Sequence, residues 1–403
     1  MKIALYQPWI YLCGGLERSL LELISRSRHE WVVYTGNYQP ESTFPEFRNH
    51  RVVELEKLSV NRNIGAVLGV ALRILRHRIP LQEYDALVVW CDGLGSLVTF
   101  GNTSRPAFNI CSTPLRAVYD PVYQEQALSK RGFLGRLLYH FFKSVFVPVD
   151  RLAWRRFSGV IATSSEVRER IVKGRLYADG PRMRMCYPGI DWQAMGGEVD
   201  YEKMLLVPGR IMWTKNIQLA VRAFLEADMP QDWRLVVAGF VDRKSESYLL
   251  ELKELAQGDP RIVFEKNPSD ERLKELYGST AAVLFPPLNE DWGIVPLEAM
   301  ARSKAVIANA AGGPLESVVD GETGWLLPPE TKAWATLLAS LPEQTQRLRE
   351  MGAAARAHSA QYDWSHFVSG VDDAIEEWTL AVSSSGGKSS REKAPQGGTN
   401  HAE

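Results

Sequence analysis

Several kinds of chemistry leave no trace in this 403-residue chain. Its four cysteines, Cys13, Cys91, Cys111 and Cys186, are widely spaced and form no CxxC pair. They read as reduced and structural, which fits a cytoplasmic protein. No GxGxxG fingerprint follows a strand, which argues against a nicotinamide enzyme, and there is no Walker lysine motif. Asp-x-Asp triplets and HExxH or CxxC–HxxxH spacings are missing too, so no bound metal and no cofactor are expected. Nowhere do apolar residues run for the roughly 20 positions that a spanning helix requires. The opening MKIALYQPWI reads as a first strand and not as an export signal.

What is present is an ordinary globular composition, 45% hydrophobic and 24% charged, long enough for two cores. Net charge is −1, but it is uneven. Residues 1–200 carry 26 Lys+Arg against 19 Asp+Glu, a balance of +7, and the remainder carries 21 against 29, or −8. The first half is therefore the one suited to an anionic surface.

Apolar runs alternate with amphipathic segments throughout. Lys2–Tyr6, Trp31–Thr35, Arg51–Leu55, Ala86–Trp90, Ala107–Ile110 and Gly159–Ala162 read as strands, with helices such as Gly15–Arg26 and Ile64–Arg78 between them. A second series runs through Met204–Pro208, Arg234–Ala238, Arg261–Phe264, Ala281–Phe285, Ala305–Ala308 and Gly324–Leu327. Strand–helix alternation of this kind means parallel α/β sheets covered on both faces. Two doubly wound domains facing across a cleft are expected: 1–195, then 203–363 after the polar join around Gly196-Gly197. A helix, 364–380, is expected to return toward the first domain, and 383–403, without a large apolar residue, to be a disordered tail.

The segment richest in chemistry is Asn289–Met300, NEDWGIVPLEAM. It follows the strand-like AAVLFPP and puts Glu290 and Glu298 on either side of a helix start. Pro296 suits a first helical position. Gly293 opens the approach to the backbone N–H groups of Ile294 and Val295, where a phosphate is favoured. Upstream, Gly209-Arg210 and Lys215 leave a strand end and enter a helix, where two cations would neutralise a diphosphate. A pair of solvated basic residues is the blander reading. Gly312-Gly313 before Pro314 and Glu316, and Gly14-Gly15 after the first strand, permit close backbone approach, or are simply tight turns.

Together these residues resemble the donor site of retaining GT-B glycosyltransferases of family four. Gly209-Arg210 with Lys215, Glu290 with Glu298, and Gly312-Gly313 with Glu316 carry the resemblance, which covers residues 1 to about 380 and is strongest over 204–328. NEDWGIVPLEAM and GGPLESVVDGETGWLL look most like mannosyltransferases that build lipid-linked oligosaccharides and bacterial O-antigens. The resemblance implies two Rossmann-like domains and a metal-independent transfer of a hexosyl group, mannose from GDP-mannose being favoured, to a lipid-linked or polysaccharide acceptor. Arg210 and Lys215 would bind the donor diphosphate and Glu298 the ribose. Glu290 would contact the transferred sugar, and Gly293, Ile294 and Val295 would contact sugar and phosphate through the backbone. Gly14 and Gly15 would form the facing wall, and Asn267, in the stretch Glu265–Pro268, would lie near the base. Cys111–Asp120 resembles the family's CHTPMRYxWD segment, with Ser112 standing where the family has His. Ser112 and Arg116 are thereby implied as sugar or acceptor contacts, although Ser carries no charge. A UDP-sugar donor, a GT-B-fold nucleotide-sugar epimerase and a non-catalytic nucleotide-sugar binder remain as alternatives.

Between the Cys111–Asp120 loop and the next strand lies KRGFLGRLLYHFFKSVFVPVDRLAWRR, residues Lys130–Arg156. Its interleaved aromatics and cations can lie in a membrane interface, peripheral at the cytoplasmic leaflet, or can pack on the first sheet. No nucleic-acid partner is expected.

Overall fold

The computed structural model describes residues 1–60, 64–90, 93–129, 131–196 and 200–388. Cys91, Lys130, Gly197 and the segment 389–403 lie outside the described residues.

Two parallel sheets form. The first holds β1 (Lys2–Tyr6), β2 (Glu30–Thr35), β3 (Val52–Glu54), β4 (Ala86–Trp90), β5 (Ala107–Cys111), β6 (Phe157–Ala162) and β7 (Met183–Met185), in the order β3-β2-β1-β4-β5-β6-β7. The second holds β8 (Met204–Pro208), β9 (Arg234–Gly239), β10 (Ile262–Lys266), β11 (Ala282–Phe285), β12 (Ala305–Asn309) and β13 (Gly324–Leu327), in the order β10-β9-β8-β11-β12-β13. Strands such as β4 and β8 are fully apolar because helices cover both faces, so neither face alternates.

In the first domain the helices are α1 (Gly15–Arg26), α2 (Ile64–Arg76), α3 (Arg116–Tyr119), α4 (Pro121–Ser129), α5 (Phe133–Trp154) and α6 (Ser165–Lys173). In the second they are α7 (Ile217–Glu226), α8 (Glu246–Leu255), α9 (Asp270–Ser279), α10 (Ile294–Ala301), α11 (Pro314–Ser317), α12 (Thr331–Ser340) and α13 (Thr345–Ser359). A final helix, α14 (Trp364–Lys388), packs Trp364, Phe367, Val371 and Trp378 into the core of the first sheet. Gly159 on β6 makes that contact possible, since a Cβ there would lie 2.2 Å from the Trp378 ring. α14 continues past the expected end at Leu380 and takes in Ser383 to Lys388. Once a helix is anchored by its core face, each added residue costs little.

Both sheets reverse their winding beside the first strand, between β1 and β4 and between β8 and β11. The loops leaving these strands diverge there and open a crevice at the carboxyl ends. β7, a half-buried edge strand of sequence MRM, has no counterpart in the expected pattern, since it has no apolar run to announce it.

Candidate active site

The loop after β11 is held by hydrogen bonds and by the buried Trp292, which stacks on Tyr187 at 4.6 Å between centroids. Pro286 and Pro287 cannot donate, and their carbonyls take the side-chain amides of Asn216 (3.1 Å) and Asn309 (2.6 and 2.8 Å). Glu290 then pairs its backbone with Gly312, and the Gly313 N–H donates to the Glu290 carbonyl at 2.9 Å. A Cβ on Gly312 would stand 2.1 Å from the Glu290 oxygen, and one on Gly313 1.9 Å from the Trp292 oxygen. The Gly-Gly pair therefore admits the chain's own NEDW backbone.

Gly293 has φ +86°, and α10 starts at Ile294, so Pro296 occupies the third helical position and not the first. No side chain caps this end. The N–H groups of Ile294 and Val295 belong to the first turn, whose donors have no partner within the helix, and an anion is favoured there.

Lys215 closes a 3₁₀ turn, Trp213–Lys215, at the β8 side of the switch point. Its Nζ donates to Glu290 Oε2 at 2.6 Å and lies 5.8 Å from the Phe285 ring centre. Burial pushes the Glu290 carboxyl up, but Lys215, Arg116 and Arg210 outweigh it and hold it below the usual range. Arg210 is exposed. Glu298, on α10, accepts from the Tyr277 hydroxyl at 2.9 Å. Burial raises its carboxyl against the opposing charges of Arg302 and Arg18. Arg18 belongs to α1, which has Gly14 and Gly15 at its start, and Ile294 of α10 packs against the core cluster that α1 joins. A Cβ on Gly15 would meet nothing within 4 Å.

A family model for group 1 glycosyl transferases matches residues 191–358. The human alpha-1,3/1,6-mannosyltransferase ALG2 is 34% identical over 385 residues, 85% of this chain and 88% of that one. Its Neurospora crassa counterpart is 35% identical over 389 residues, covering 81% of this chain and 79% of that one. The chain belongs to the group 1 glycosyltransferases. Among solved structures, Anabaena HepE in complex with UDP superposes with a TM-score of 0.72 at 19% identity, over 94% of this chain and 100% of that one. Sucrose-phosphate synthase from Thermosynechococcus elongatus gives 0.74 at 18% identity, over 94% and 100%. These likenesses show the GT-B fold, two α/β domains facing across a cleft.

In this glycosyltransferase, Arg210, Lys215, Glu290, Gly293, Ile294 and Val295 gather at the carboxyl ends of β8 and β11, with Glu298 further along α10. Asn267 stands apart, at the end of β10. Its Oδ1 accepts from the Val241 N–H at 2.9 Å and its own N–H donates to Gly239, stitching two strand ends together. On the facing domain, Ser112 Oγ accepts from the Trp90 indole at 2.8 Å. Arg116 reaches across the cleft, donating to the Asn289 carbonyl at 2.6 Å and pairing with Asp291 at 3.5 Å.

Several residues of this bridge carried no sequence signal. Arg116 lies 4.2 Å over the Tyr123 ring, which packs on Trp213 at 5.2 Å between centroids. Arg170, whose side chain is 3% exposed, bonds Asp291 and Thr113 from the other side and lies 3.6 Å from Asp120. Glu316 accepts the Ser165 N–H through both oxygens, at 2.9 and 3.1 Å, at the start of α6. The Arg116/Asp120 and Glu166/Arg170 spacings of four, both local helix pairs, and Glu316 beside the Gly-Gly turn were open to pattern reading.

Proposed function

We propose that the enzyme transfers a mannosyl group from GDP-mannose, with retention at the anomeric carbon, to a lipid-linked saccharide at the cytoplasmic leaflet of a membrane. The observation that carries this reading is the Lys215–Glu290 pair, 2.6 Å apart at the mouth of an uncapped helix. It joins a cation for phosphate and an ionised carboxylate for hydroxyls in one place. The ALG2 relatives are named as alpha-1,3/1,6-mannosyltransferases, which supports mannose as the sugar.

In this mechanism the donor diphosphate takes Arg210, Lys215 and the N–H groups of Ile294 and Val295, while Glu290 turns to the sugar hydroxyls and Glu298 to the ribose. The bond from the anomeric carbon to the phosphate oxygen breaks, and its electron pair stays on the nucleoside diphosphate. The cations and the helix start stabilise the charge that develops there. The acceptor hydroxyl forms the new bond on the same face and gives its proton to the departing phosphate, so no protein nucleophile is required. The protein's contribution is positioning and preorganised charge.

The test is to incubate purified enzyme with a panel of GDP- and UDP-sugars, with and without a polyprenyl-diphosphate-linked saccharide. Nucleotide release that requires both GDP-mannose and acceptor is expected. Release from a UDP-sugar alone would overturn the donor assignment, and an epimerised donor would overturn the transfer.

A further inference from the structure

Tyr123 and Trp213 meet across the cleft, one ring from each domain. Their centroids lie 5.2 Å apart, with the ring planes tilted by 52°. Tyr123 stands in the first turn of α4, where Asp120 Oδ1 takes the N–H groups of Val122 at 2.9 Å and Tyr123 at 3.3 Å. The Arg116 guanidinium lies over its ring at 4.2 Å. Trp213 opens the 3₁₀ turn that ends at Lys215, and its carbonyl accepts the Asn216 N–H at 3.1 Å. Asn216 in turn donates to Pro286, in the loop that carries Glu290. Both backbones are pinned, and both rings are half-buried.

Packing alone does not account for the pair. Among the described residues, neither ring joins any of the four hydrophobic core clusters. The Tyr123 hydroxyl and the Trp213 indole N–H form no hydrogen bond there either, and both reach solvent. These free tips stand among the charges of the donor site. Burial raises the Tyr123 phenol, and Arg116, Asp291, Glu290 and Arg210 all act on it. Trp213 lies two residues before Lys215, whose Nζ holds Glu290 at 2.6 Å. Arg116, the cation on the Tyr123 ring, is engaged by Asp120, Asp291 and the Asn289 carbonyl, which favours an uncharged ligand here. Aromatic surface with free polar tips suits a pyranose. Its C–H groups lie against the rings, and its rim of hydroxyls takes the phenol and the indole N–H.

We propose that Tyr123 and Trp213 together form a subsite for a neutral sugar ring of the acceptor. The transferred sugar is assigned above to Glu290 and the start of α10, both in the second domain. Tyr123 approaches from the opposite side, so the ring it touches is the acceptor's. Trp213 supplies a wall and a donor, and the Tyr123 hydroxyl rotates to donate or accept as the sugar requires. Because each domain contributes one ring, neither domain alone holds the site. Naming the acceptor as the ligand rests on the transfer proposed above, whereas saccharide binding by the pair does not.

Binding is read first without turnover. The full chain is titrated with methyl α-mannoside while tryptophan fluorescence is followed in wild type and in Trp213→Phe. The difference between the two isolates one indole among 12, and it should change saturably. Kinetics with GDP-mannose and a polyprenyl-diphosphate-linked saccharide then give both KM values. Trp213→Ala and Tyr123→Ala should each raise the acceptor KM by about tenfold. Tyr123→Phe keeps the ring, guards against a folding defect, and should raise it by roughly threefold. The donor KM should stay at the wild-type level in all three variants. No saturable difference signal, or a wild-type acceptor KM in both alanine variants, would overturn the proposal. Equal rises in both KM values would overturn it too, because the rings would then only hold the domains together. A rise in the donor KM alone would do the same, by giving the rings to the transferred sugar. A saturable signal from a protein that transfers nothing from GDP-mannose would sink the transferase reading and leave the sugar site standing.

Discussion

Lys215 Nζ lies 2.6 Å from Glu290 Oε2, joining the element that leaves β8 to the loop that leaves β11. The two side chains are 24% and 21% exposed, so a donor entering the crevice meets the pair directly. Lys215 is the largest influence holding the Glu290 carboxyl down against its burial.

On the proposed mechanism, Lys215→Ala should lower kcat with GDP-mannose by about 10²-fold, since it would remove a cation from the leaving diphosphate. It should also move the acid limb of the kcat/KM profile to higher pH, because Glu290 loses the charge that depresses it while keeping its burial. A pH–rate series on wild type and variant reads both effects. An unmoved acid limb would separate Glu290 from the titration.

If Glu298 takes the ribose as proposed, Glu298→Gln should weaken donor binding roughly tenfold through lost charge-assisted bonds. Tyr277→Phe should raise the donor KM by about threefold and leave kcat nearly constant. Its hydroxyl orients Glu298 from 2.9 Å and touches no reacting atom. Comparing KM with kcat for both variants decides whether Tyr277 positions the carboxylate or only fills space.

Arg170→Met should destabilise the protein by about 3–5 kcal/mol, because Asp291 and Asp120 would keep their burial and lose a cation. Urea unfolding measures this. In Arg170→Met/Asp291→Asn much of the loss should be recovered if the pair, and not Arg170's packing, carries the effect.

Burial raises the Asp150 carboxyl to about 6 from an ordinary 3.8, although Ser96 and Tyr119 donate to it. Between those pH values the folded protein keeps a proton that the unfolded chain has lost. This group's contribution to stability is therefore present in acid and falls as pH rises through that window. Asp150→Asn lacks this component, so its stability relative to wild type should improve by on the order of 2 kcal/mol between about pH 4 and pH 7. Denaturant melts across that range would show parallel curves if Asp150 did not titrate there.

The strand core and the helix start after NEDWG were legible in the residues themselves. β1, β4, β8 and β13 occupy the spans their apolar runs predict, because a strand buried on both faces has little freedom to carry anything else. NEDWG advertised a helix start through Gly293, and the N–H groups it frees follow from local geometry alone. Sequence placed Gly312-Gly313 near a ligand, whereas the fold lays the Glu290–Trp292 backbone against them, a contact between two separate loops. Arg116 likewise resembled a sugar contact, and only its position opposite Asn289 and Asp291 reveals a bridge across the cleft. For Arg170 the sequence offers only the local pair with Glu166, since its other acidic partners arrive from the end of α3 and from beyond β11. For α5 the periodicity shows apolar residues around much of the helix, but periodicity is blind to direction. Which row meets the sheet and which meets solvent is decided by where α3 and the Leu94–Phe100 segment leave room, and that is settled only when the chain has folded around them.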